Sequence, residues 1–200
     1  MLLTLLSIIQ ALALEFLWTH VRDSDYLFEP NWRTFLHWAQ ITATFLVIVQ
    51  IWIVYVSNAL RFRWVPRTSD SIYPFLIGVL EFALVELHDP GLLGWWFVCL
   101  AALFGLVTWV DHSLMRQARR DGENDWFFSR YKPATLRDFY PSFAIFFAVI
   151  GAGIVCMVIG EDGVPAFLAL LGANLMGGFF IRQSTMYWNE SIAERLHQNN

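Results

Sequence analysis

Polar residues are thinly scattered over most of this 200-residue chain, and the dominant pattern is a series of long apolar runs. Neither the two-residue alternation of a half-buried strand nor the single apolar stripe of a surface helix describes them. Six runs stand out, at about residues 2–19, 35–56, 72–87, 92–110, 139–159 and 164–181. They approach or reach the roughly 20 residues that a helix needs to cross about 30 Å of hydrocarbon. Unpaired backbone groups are so costly in lipid that runs of this length form helices. Transmembrane barrels would instead show alternating segments of about ten residues. The chain is therefore read as all-α: a polytopic membrane protein of about six transmembrane helices arranged as three hairpins.

The breaks between runs support that reading. His88-Asp89-Pro90-Gly91 and Gly160-Glu161-Asp162-Gly163 are short reversals, so helices three and four, and five and six, form tight hairpins. The third run is the weakest, because Pro74, Glu81 and Glu86 interrupt it. At the N-terminus, Ala11-Leu12-Ala13 imitates a signal cleavage site, but no basic segment precedes it and the apolar stretch continues to Trp18. It is expected to stay as a first helix.

Composition agrees with the pattern. Apolar residues make up 57% of the chain and charged residues 15%, too few polar groups to cover a soluble domain. Of the 13 basic residues, eleven fall on one side of the alternating spans, in the loops after helices two and four and in the C-terminal tail. Only Arg22 and Arg33 fall on the other side. Cytoplasmic loops retain Lys and Arg, so both termini are expected in the cytoplasm, as in a bacterial inner-membrane protein. A net charge of -4 gives no basic field for nucleic acid, which is excluded as a partner. Cys99 and Cys156 both lie inside spans and read as small buried hydrophobes rather than a disulfide.

Tryptophans 18, 38, 95 and 96 fall near outer ends and 64, 109 and 188 near inner ends, where amphipathic rings anchor a helix at the headgroups. Gly151, Gly153, Gly172, Ala173, Gly177 and Gly178 give the last two helices small residues for close packing. Asn174 is expected to make an interhelical hydrogen bond, and Asp111-His112 marks a membrane boundary beside Arg116. Leu14-Glu15-Phe16 and Leu80-Glu81-Phe82 form a faint internal echo of a two-helix repeat.

Candidate chemistry rests on misplaced charges. Glu15 and Glu81 each lie within a span, where a carboxylate costs roughly 2.5 to 3.5 kcal/mol on the lenient insertion scale. Both helices run in the same direction, so the two carboxylates are expected at a similar depth, as a proton carrier or cation ligand, with a structural role as the alternative. His37, Glu86, His88 and Asp89 cluster at the outer ends and would line the external access. Carboxylates mixed with imidazoles suit a transition metal, although their spacing matches no ligand motif. No P-loop, zincin, hydrolase or dinucleotide signature occurs, and no cofactor is expected. The functional expectation is a proton or cation transporter or channel, self-associated in the lipid bilayer. The alternative is a signalling or assembly subunit that binds lipid or a cytoplasmic protein through residues 113–137, using Arg116, Arg119, Arg120, Trp126, Phe127 and Phe128.

Overall fold

The structure, a computed structural model, describes residues 2–63 and 67–198, with side chains placed for residues 3–63, 67, and 70–189. Trp64 and the side chain of Arg195 lie outside the described residues. Six long helices carry the fold: α1 (Leu2–Asp23), α2 (Trp32–Arg61), α3 (Thr68–Glu86), α4 (Leu93–Ala118), α6 (Tyr140–Ile159) and α7 (Val164–Gln198). A one-turn helix, α5 (Asp125–Phe128), sits in the loop between α4 and α6, and no strand occurs among the described residues. The chain is an all-α polytopic membrane protein.

Local chemistry sets the helix ends. Asn31 caps α2 by accepting the Thr34 backbone N–H at 2.8 Å. Gly91 and Gly160, with φ of 93° and 106°, take the left-handed conformations that turn the chain before α4 and after α6. Pro141 lies in the first turn of α6, where its missing N–H costs nothing. Two ends outrun their apolar segments: α4 continues to Ala118 and α7 to Gln198. The segments expected as loop and tail are thus partly helical, because helical hydrogen bonding does not stop at the edge of the hydrocarbon.

The six helices form a closed ring in the order α1, α2, α7, α6, α4, α3. The three sequence hairpins exist, yet the broadest contacts lie between them, where α2 packs on α7 and α4 on α6. Helices α1 and α3 run parallel, with Gly78 against Ile9, Phe82 against Phe16 and His88 against His20. Leu2 and Gln198 therefore lie at the end that carries Arg63, Arg67 and residues 119–139, the arginine-rich end. Residues 24–31, 87–92 and 160–163 form the opposite, short-loop end.

Among the described residues, α1, α2, α4, α6 and α7 are each long and apolar enough to cross a bilayer. Helix α3 also runs the length of the bundle: Tyr73 packs near Leu6 and Leu114 at one end, while Val85 meets Leu17 and Val21 at the other. Its acidic residues are tolerated because neighbouring helices enclose it on several sides. The inner face of the ring is filled by Ile48, Leu84, Trp96, Phe97 and Leu103, all essentially inaccessible. Trp96, expected at a membrane interface, is instead wholly buried, because the rotation of about 100° per residue in a helix turns it from the exposed face of Trp95 toward α2. The outward faces of α6 and α7 are apolar and exposed, as lipid contact requires.

The expected glycine packing is selective. A Cβ on Gly153 would stand 2.8 Å from the Gly94 carbonyl oxygen and one on Gly94 2.9 Å from that of Gly153, so α4 and α6 touch backbone to backbone. Gly177 faces Leu46, whereas Gly151, Gly172 and Gly178 face open space. Gly153→Ala should therefore separate two helices and cost about 1 to 3 kcal/mol, as overpacking does. Gly151→Ala should leave the melting temperature unchanged or raise it, given the better helix propensity of alanine. Thermal denaturation of the two variants in detergent checks the contrast.

Candidate functional site

The buried polar groups lie in three tiers along the bundle. Nearest the short-loop end, Trp96 Nε1 donates to Thr44 Oγ1 at 3.1 Å, and Thr44 Oγ1 lies 3.1 Å from His88 Nε2. His88 Nδ1 is 2.8 Å from the Val85 carbonyl. Since that carbonyl can only accept, Nδ1 carries the proton, and the Thr44 hydroxyl shares its own proton between His88 Nε2 and the Gln40 carbonyl, each 3.1 Å away. One directed chain thus runs from α4 through α2 to the end of α3. Gln40 Nε2 donates to the Leu87 carbonyl at 3.0 Å and closes the turn from below. Burial holds the His88 pKa down to about 4, so the ring is neutral at physiological pH.

Beside this tier Tyr26, a residue without a mark in the sequence, meets the imidazoles of His20 and His37 and the backbone carbonyl of His88. Its hydroxyl lies 3.0 Å from His20 Nε2 and donates toward the His88 carbonyl at 3.4 Å, and its ring packs on His37 at 5.0 Å. The buried Nδ1 of His37 has no partner. Both nitrogens of His88 are occupied, so it offers no lone pair to haem or metal. Among the described residues, no group of three or more His, Cys, Asp or Glu side chains could hold a metal ion.

The second tier holds Glu81. It is completely buried, and the Gln10 side-chain amide donates to its two carboxylate oxygens at 2.7 and 2.9 Å. Glu81 lies five residues before the end of α3, so about 7 Å inside it along the axis. The expected pairing with Glu15 does not form. Residues Leu6, Gln10, Ala13 and Leu17 make the buried face of α1, and Glu15 lies on the nearly opposite, exposed face. Equal depth along parallel helices left the angular position open, and the angle separates them. Gln10 was missed, although a lone amide in an apolar span is a legible signal. Within the Leu-Glu-Phe echo, Phe16 and Phe82 touch, at 5.2 Å between ring centroids.

The third tier lies toward the arginine-rich end, where Asn58 donates to Asp111 at 2.7 Å and Gln117 donates to buried Asp70 at 3.1 Å. Asp111 is thus hydrogen-bonded within the bundle rather than simply marking a boundary. Asn174 makes its interhelical bond, donating to the Ala39 carbonyl at 2.9 Å.

Of the expected access residues, His88 is buried and His37 half-buried, while Glu86 and Asp89 are exposed. His37 joins Arg33, Gln40, Glu161, Asp162 and Cys156 in a pocket of about 780 Å³ at the short-loop end. A second cavity of about 20 Å³ touches Asn58 and Asp111. Packed side chains separate the two. Compared with known proteins, the chain matches no family model, and no curated protein or solved structure is significantly similar to it. Function must be read from these groups alone.

The aromatic residues of the loop build a small core of their own. Phe128 is buried with Phe62 and Ala118, and Phe127 packs edge-on against both phenylalanines. Arg119 lies over the Phe128 ring at 4.6 Å and donates to the Tyr131 carbonyl at 3.0 Å. Buried Asn124 ties the loop down by accepting from Arg63 N and donating to the Arg63 and Ala118 carbonyls. These aromatic rings seal the loop against α2 and α4, so Phe127 and Phe128 are not free anchors for a partner. Trp126 is half-buried, and Arg116 and Arg120 remain exposed.

Two outcomes follow from the first tier. Thr44→Val should leave the His88 and Trp96 nitrogens unpaired and cost about 1 to 3 kcal/mol for each orphaned group, read as a lower melting temperature; Thr44→Ser should restore it. His88 has a folded pKa of about 4 against an ordinary 6.5. Between these values the unfolded chain binds more protons, so stability is full above about pH 6.5 and falls as pH drops toward 4. In melting curves from pH 7 to 4.5, His88→Gln should therefore lose less stability on acidification than the wild-type protein.

Proposed function

We propose that the chain is a membrane transporter for a proton or cation and that Glu81 is the group that carries it. The supporting observation is the environment of Glu81: fully enclosed, hydrogen-bonded to the neutral amide of Gln10, and paired with no cation among the described residues. Such a carboxylate is compensated only when a proton or cation is bound to it, so it is suited to exchange one or the other. A purely structural side chain at this position would be better served by an amide or a hydrocarbon, which carry no charge to desolvate.

The arrangement favours a gated carrier over an open channel. The large pocket opens at one end, the small cavity lies near the other, and Ile48, Leu84, Trp96 and Leu103 close the middle. Access to Glu81 alternates in this reading, with His37 and Gln40 on the approach and Asn58, Asp70 and Asp111 on the exit. Cytoplasmic termini, an inner-membrane location and self-association belong to the same proposal; the first two draw on the skewed arginine distribution. Glu15, on the exposed face of α1, is assigned to headgroups or a second copy rather than to the pathway.

In liposomes loaded with a pH-sensitive dye, Glu81→Gln should abolish proton-coupled flux, Gln10→Leu should impair it, and Glu15→Gln should leave it intact. Wild-type flux from correctly folded Glu81→Gln protein would sink the proposal. A matching loss in Glu15→Gln would return the pathway to the outer face of α1.

A further inference from the structure

The short-loop pocket holds chemistry that the Glu81 proposal does not use. Its walls are Leu36, Leu93, Met157 and the exposed ring of Trp95, and its rim carries Glu161, Asp162 and Arg33. Arg33 is neutralised by Asp162 at 2.6 Å. Glu161 receives only the neutral backbone N–H groups of Gly91, at 2.9 Å, and Gly94, at 3.3 Å, which fix the carboxylate without cancelling its charge. Exposed Asp89 in the adjoining turn adds to the negative field. Deeper in, the buried Nδ1 of His37 lacks a partner.

These features select an occupant. An anion would meet Glu161 uncompensated. A divalent metal would want six or more oxygen ligands, and no cluster of three metal-ligating side chains exists among the described residues. An inorganic monovalent ion would reach Glu161 but leave Leu36, Leu93 and Met157 facing water. A cation with an apolar body satisfies each part: its charge faces Glu161, its surface lies on Leu36, Leu93 and Met157, and the Trp95 ring attracts it by its negative face. We infer that this pocket binds a monovalent organic cation of the ammonium or phosphonium type. Its role as the transporter's substrate site rests on the Glu81 proposal, whereas binding itself does not.

The test uses the full-length protein in uncharged detergent, with tetraphenylphosphonium as the probe and tetraphenylborate as its anionic counterpart of equal size, both measured by equilibrium dialysis. Saturable binding of the phosphonium and none of the borate is expected. Asp162→Asn leaves the Arg33 charge unpaired at the rim and should weaken phosphonium binding, whereas Arg33→Gln removes that charge and should tighten it, each by roughly two- to fivefold for rim charges. A pair that only holds the loops together would shift affinity in the same direction in both variants. That result, equal affinity for the two ions, or no saturable binding overturns the inference. Displacement by a short-chain phosphatidylcholine more readily than by choline would assign the ammonium to a lipid headgroup, and the reverse order to a free cation; either keeps the chemistry. Phosphonium binding retained by Glu81→Gln protein alongside lost flux supports both readings. Absent binding with Glu81-dependent flux sinks only this pocket, and binding without such flux sinks only the carrier.

Discussion

A polar side chain taken out of water into this bundle is costly unless a neighbouring helix offers it a hydrogen bond, and that constraint positions α3. Its carboxylate at Glu81, its carboxylate at Asp70 and the imidazole just beyond its end are met by Gln10 of α1, Gln117 of α4 and Thr44 of α2 respectively. Three neighbouring helices thus each supply a partner to α3. Lipid could have supplied none of them. The ring closes around α3 because its polar groups leave no cheaper place for it.

The same logic explains what was readable in advance. Apolar runs fix the number and rough limits of the helices, because length and hydrophobicity are properties of one segment at a time. Lateral order is a property of pairs. Parallel packing of α2 on α7, the approach of Gly94 to Gly153 and the inward turn of Trp96 depend on which faces meet, and six helices of nearly uniform hydrophobicity give little angular information. Glu15 and Glu81 illustrate the gap, since depth follows from counting along each helix but their opposite settings follow from rotation. A closer inspection of α1 would have found the sign: Gln10 shares the face of Leu6, Ala13 and Leu17, whereas Glu15 does not.

The candidate site was partly legible for the same reason. His37, His88 and Glu81 were marked by chemistry unusual for a span, and they lie within or beside the polar tiers. Tyr26, Thr44, Glu161 and Asp162 are ordinary residues for a loop or helix, and become notable only through what the ring brings to them. The aromatic group at residues 126–128 shows the reverse. Its composition suggested an exposed surface, but a loop between two helix ends needs its own small core, and Phe62 with Ala118 provides the seat.

The pairing of α2 with α7 bears on how the protein is made. Gln50 donates to Ser184 across 134 residues of sequence, and Asn174 reaches the Ala39 carbonyl across 135. At translation rates of about 5 to 20 residues per second, α2 waits on the order of ten seconds for its chief neighbour. During that interval Gln50 and the surface that will receive Gly177 face whatever surrounds the nascent chain. The ring therefore cannot close until α7 has emerged from the ribosome, and a chain truncated before α7 leaves a hydrogen-bonding seam open to lipid or to an insertase.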